Sequence, residues 1–95
     1  MILFKIKKEG KSFEIYSLDG KTSIIINDDK IEIKDNASDE GNNILIDENG
    51  INITDTNKNN ITLSSNGTKI EDKNGNVFEM GSSSVKINNN FEVLQ

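Results

Sequence analysis

The 95-residue chain has no cysteine, histidine, tryptophan, proline or arginine. Without cysteine there is no disulfide framework, thiolate metal site or thiol nucleophile. Without histidine the usual general base near neutral pH and the commonest metal ligand are both missing. A net charge of −5 and a pI near 4.6 argue against nucleic-acid partners, which need clustered basic residues. They argue equally against adhesion to anionic lipid. The start, Met1 to Lys8, is too short and too charged for the core of a signal peptide. The longest apolar run, Ile24-Ile25-Ile26, is far too short to span a bilayer. The expectation is a soluble chain made in the cytoplasm without a signal peptide.

The length allows one domain at most, and only 33% of the residues are hydrophobic. Fifteen isoleucines are matched by fifteen asparagines. Such a chain is poor in core-forming area, so it is either disordered or stabilised by more than a lone globular core. Periodicity decides for order. A single alanine, Ala37, and abundant Asn and Ser leave little that favours a helix. Ile, Val, Phe and Thr instead recur at every second position between Asn-Gly and Asp-Gly pairs, which reads as short strands joined by tight turns. The fold class is all-β.

Aligned on itself, the chain repeats. The run from Asn43 to Asp55 is followed 17 residues later by the run from Asn60 to Asp72, and a further 17 residues carries Phe78 and Met80 under Ile61 and Leu63. Inward pairs are separated by steps of five and then eight residues: Ile44/Ile46, Ile51/Ile53, Ile61/Leu63, Thr68/Ile70, Phe78/Met80, Val85/Ile87. Ile24/Ile26 and Ile31/Ile33 share the five-residue step, and an insertion from Asp35 to Asn43 breaks the register. Gly50 and Gly67 fall where the chain turns into a second strand, with Asn49 and Asn66 before them; Ser84 holds that slot in the third rung. Gly75 marks another turn. Units this short must stack to be stable. The inward residues form only a thin core for one chain. Three chains around a common axis close better, each supplying one wall of a triangular prism; a single-chain solenoid with two flat faces is the other closure.

The runs Gly41 to Asp55 and Asp72 to Met80 resemble the β-helical stalk of contractile-tail spike proteins, the phage baseplate assembly protein V and VgrG families. The resemblance covers roughly residues 22 to 93. It implies an intertwined trimeric triple-stranded β-helix, a β-prism at the centre of a phage tail, tailocin or type VI secretion baseplate that punctures a cell envelope when the sheath contracts. The implied organisation is a hairpin or docking segment at residues 1–21, a stalk at 22–93 and a cap or tip at 88–95. Implied partners are two further copies, a hub protein at the N-terminal end, a separate tip protein at the C-terminal end, and a target membrane crossed transiently. Two features depart from the family. The first 21 residues are too few for the barrel that precedes the stalk, so Ile2/Phe4/Ile6 are expected to face Phe13/Ile15 around Glu9-Gly10-Lys11, with a turn at Asp19-Gly20. The iron-binding tip of some spikes is impossible without histidine.

Rival chemistries are weaker. The carboxylate pairs Asp28-Asp29, Asp39-Glu40, Asp47-Glu48 and Glu71-Asp72 lie in turns or alternate across a strand, so they lack the facing geometry of a glycosidase. Ser64-Ser65 and Ser82-Ser83-Ser84 have no histidine partner. Asp55, Asn57, Asn59 and Asp72, Asn74, Asn76 alternate like oxygen-rich calcium loops, but Lys58 and Lys73 sit among them, and satisfaction of turn amides explains them better. Phe13, Tyr16 and Phe91 are read as packing residues before a sugar-stacking surface. No enzyme activity, cofactor or metal is expected. The alternative to a spike is a solenoid or trimeric fibre segment that binds a receptor or glycan.

Overall fold

The computed structural model describes residues 5–9, 12–36 and 41–95, the first of these segments through its backbone alone. The described residues form eleven strands and no helix: β1 Lys5–Glu9, β2 Ser12–Tyr16, β3 Ser23–Ile26, β4 Lys30–Lys34, β5 Asn43–Asp47, β6 Gly50–Thr54, β7 Asn60–Ser64, β8 Gly67–Glu71, β9 Val77–Met80, β10 Ser84–Ile87 and β11 Phe91–Leu94. They make one open antiparallel sheet in which every strand pairs with its neighbours in sequence. Stacking eleven strands at about 4.8 Å gives a long body, and the molecule measures 56 × 27 × 16 Å.

The strand interiors alternate, and the register aligns that alternation across the whole sheet. One column of facing residues runs Ile15, Ile24, Ile33, Ile44, Ile53, Ile61, Ile70, Phe78, Ile87, Phe91. A second, parallel to it, runs Phe13, Ile26, Ile31, Ile46, Ile51, Leu63, Thr68, Met80, Val85, Val93. Ile6 pairs with Ile15, continuing the first column at the level of the backbone, whereas the residue opposite Phe13 is Lys8 and not one of the expected apolar residues. The column between them points to the opposite face and is mostly polar: Glu14, Ile25, Glu32, Leu45, Asn52, Thr62, Lys69, Glu79, Lys86, Glu92.

Because the strands meander, connections alternate between the two long edges. One edge carries the tight turns that follow the five-residue step. The other carries the longer loops of the eight-residue step. At the tight turns Gly50 has φ 129° and Gly67 has φ 120°. A Cβ there would lie 1.9 Å from the Leu63 carbonyl oxygen or 2.0 Å from that of Met80, so only glycine fits. Asn49 and Asn66 take no positive φ; the residues other than glycine that do are Lys58, Asn88 and Asn89, among those described. In the third rung the turn keeps its register, with Gly81 donating its N–H to the Ser84 carbonyl at 3.0 Å. The glycine has moved to the other leg of the turn.

The segment from Asp35 to Asn43 does not break the array. Ile33 faces Ile44 and Lys34 faces Asn43, so both apolar columns pass through it. It is closed by the bond that closes the shorter loops, here from the Asp35 N–H to the Asn42 carbonyl at 3.1 Å. Residues 37–40, including the Asp39-Glu40 pair, and the hairpin tip at Gly10-Lys11 lie outside the described residues, as do Ile2 and Phe4. β2 pairs with β3, and β10 with β11, so the described parts of 1–21 and 88–95 continue the same sheet.

Candidate functional site

The largest chemical feature is the face that bears the two apolar columns. All of Ile24, Ile26, Ile31, Ile33, Ile44, Ile46, Ile51, Ile53, Ile61, Leu63, Ile70, Phe78, Met80, Val85 and Ile87 stand on it. None is buried within the single chain. Ile31 and Ile33 are each 37% exposed. Between them, on the opposite face, the Glu32 side chain is only 17% exposed. The usual order, apolar covered and polar open, is therefore reversed. The physical reason is side-chain length. On the polar face Lys30 and Lys34 lie along the sheet towards Glu32 at 4.0 and 3.7 Å and cover one another. On the apolar face mostly branched side chains stand in columns, and no described element packs over them. The chain exposes 7163 Å², against roughly 5,500 Å² expected for a compact monomer of its mass. The excess, about 1,700 Å² per chain, is of the size that obligate interfaces bury.

The loop edge is a hydrogen-bonded spine. Asp55 Oδ1 accepts the N–H groups of Asn57 and Asn59 at 2.9 and 2.8 Å, and its Oδ2 accepts Asn59 Nδ2 at 2.8 Å. Asp72 treats Asn74 and Asn76 in the same way, at 2.9, 2.9 and 2.8 Å. Asp35 and Asn42 make the equivalent clamp around the longer loop, at 2.7 and 2.5 Å. The clamps are also linked to each other. Asn42 Oδ1 accepts the Thr56 N–H at 2.9 Å, Asn59 Oδ1 accepts the Lys73 N–H at 3.0 Å, and Asn88 Nδ2 donates to Asn76 Oδ1 at 3.1 Å. Gly75, φ 85°, belongs to one of these loops, at the position that Lys58, φ 69°, holds in the other.

The amide donors hold the Asp55 and Asp72 carboxyls below the usual carboxylate range, chiefly through Asn59 and Asn76. The Ser17 hydroxyl and the Lys21 amide do the same for Asp19. A general acid needs the opposite shift. The Asp55 and Asp72 carboxylates are turned onto amides of their own loops, Asn59 Oδ1 and Asn76 Oδ1 accept from the next loop, and among the described residues no group of three acidic side chains is placed to hold a metal. Ser64 Oγ accepts the Asn66 N–H at 3.2 Å, a turn bond. Phe13, Tyr16 and Phe91 do not converge. Phe13 and Phe91 stand in strands near opposite ends of the sheet, and Tyr16, on the other face, donates its hydroxyl to Glu14.

The apolar positions were readable from the five-and-eight step. The spine was missed, although Asn42, Asn59 and Asn76 follow one another at the same 17-residue interval. Its signal is spacing between rungs, whereas the calcium comparison weighed each loop alone. Compared with family models, with curated proteins and with solved structures, the chain matches none.

Proposed function

We propose that three copies of this chain close their apolar faces around a common axis, and that the resulting shaft is the puncturing spike of a contractile tail or injection-system baseplate. The observation that carries the reading is the pair of apolar columns, interrupted only by Thr68, left open on the less covered face. A lone chain has no means of removing them from water, and a trimer joins them in one central core at roughly 25 cal/mol per Å² buried. Each strand is bonded on both sides by its own chain from β2 to β10, which leaves no place for a foreign strand between them. Each chain therefore supplies one wall of the prism, and wrapping comes from the twist of the sheet.

The mechanical role follows from this arrangement. Ladder hydrogen bonds lie along the 56 Å dimension, so at each strand pair an axial load is shared by all the bonds between those two strands, in three walls at once. Stacked Asp–Asn clamps hold the loop edge against splaying. Three chains at −5 each carry −15 on a largely polar outer face, which favours solubility and disfavours attachment to anionic lipid. The test is location: antibody to this chain, applied to contractile particles purified from cells that express it, should mark the axial tip. Labelling of peripheral fibres, or specific binding to a receptor or glycan, would replace the spike with an adhesive segment.

A further inference from the structure

The two long edges differ in charge and shape, and they match at one level. β6 and β7 are joined on the loop edge by residues 55–59, whose turn places Lys58 at positive φ. At the other ends of β6 and β7, between the β5–β6 and β7–β8 turns, lies a groove of about 550 Å³ with Asp47 and Glu48 on one wall and Ser65 and Asn66 on the other. The loop and the groove therefore stand at the same height on opposite edges of one sheet about 27 Å wide. Among the described residues, Lys58 has no acidic partner within its own chain.

A threefold axis along the sheet's length brings the loop edge of each wall beside the turn edge of the next, without translation. Resting on the trimeric reading above, we infer that the Lys58 loop of each protomer docks in the Asp47/Glu48 groove of its neighbour and sets the order and level of the three walls. A tilt of the strands that shifts the contact by one groove keeps the pairing, because the next groove, beside Asp28 and Asp29, is also walled by Asp47 and Glu48. The contact also relieves repulsion between acidic chains, since it introduces a cation where two carboxylates stand together.

A carbodiimide, which condenses a lysine amine with a carboxylate, tests this directly on the full chain. Lys58 and Glu48 lie on opposite edges, so an amide between them can form only between chains, whereas Lys86 and Glu92, 3.9 Å apart, report linkage within one chain. The expected result is a trimer whose digest contains both the Lys86–Glu92 link and a link from Lys58 to Asp47 or Glu48, the latter lost in Lys58→Gln. As a second measure, Lys58→Glu and Glu48→Lys each lower the midpoint of trimer dissociation, and the two together restore it. A stable trimer that forms only the Lys86–Glu92 link and shows no charge-swap rescue overturns the docking while leaving the trimer intact. A monomer at every concentration overturns the trimer itself, and the docking with it.

Discussion

Asn59 bonds two successive loops at once: its Nδ2 donates to Asp55 Oδ2 at 2.8 Å, and its Oδ1 accepts the Lys73 N–H at 3.0 Å. Replacing it with alanine removes both bonds and leaves the Lys73 amide without its partner. The expected loss is about 1–3 kcal/mol. Asn57 contributes its backbone N–H to the same clamp, so Asn57→Ala should stay within about 0.5 kcal/mol of the parent. Urea unfolding of the two variants side by side checks the difference.

The glycines separate into two kinds. Gly50→Ala forces a Cβ to within 1.9 Å of the Leu63 carbonyl oxygen at φ 129°, and the strand must move. At Gly75, φ 85°, nothing lies within 4 Å of an added Cβ, so the substitution costs only the left-handed backbone, roughly 1–2 kcal/mol. Gly50→Ala should cost at least about 3 kcal/mol or prevent folding. Thermal melts of both variants distinguish the two kinds; equal losses would contradict the close approach.

Much of this fold was legible because a strand's period of two is visible in a single chain. Ile31/Ile33 and Ile44/Ile46 announce their common face, and the five-residue step announces the tight turn between Ile46 and Ile51. The Asp35–Asn43 insertion misled, because length suggested a break while the closing Asp35–Asn42 clamp depends on two side chains brought together only by the register of β4 and β5. Asn49 and Asn66 misled in a smaller way, since the glycine after each absorbs the whole positive φ. The central polar column hides two apolar residues, Ile25 and Leu45, beside Glu32. Covered by neighbouring long side chains, they belong to neither apolar ladder.

The clamps make stability sensitive to acid. The Ser17 hydroxyl and the Lys21 amide at Asp19, and the amide donors around Asp55 and Asp72, favour the ionised form, so each folded carboxyl titrates below its unfolded value. The stabilisation is complete above about pH 4 and is lost as pH falls through the folded values. Unfolding midpoints followed from pH 6 down to about pH 2.5 should show this limb. The triple variant Asp19→Asn, Asp55→Asn, Asp72→Asn keeps an acceptor oxygen at each site and should flatten the limb. A parent and variant with the same acid profile would show that the clamps do not set it.

Substitutions on the two faces should behave oppositely. Ile53→Asp places a carboxylate between Ile44 and Ile61 in the apolar column; in a closed core that charge has no partner, and assembly should fail. Asn52→Asp, one residue away on the polar face, should leave the assembly state unchanged. Size-exclusion chromatography with light scattering reads both.

If two further copies of the chain cover the open apolar face, the assembly must persist in dilute solution. Sedimentation equilibrium of the parent protein at micromolar concentration tests it most directly. One species of three times the 10.6 kDa chain mass is expected, with an unfolding midpoint that rises with protein concentration. A folded, compact species at the mass of a single chain would contradict it.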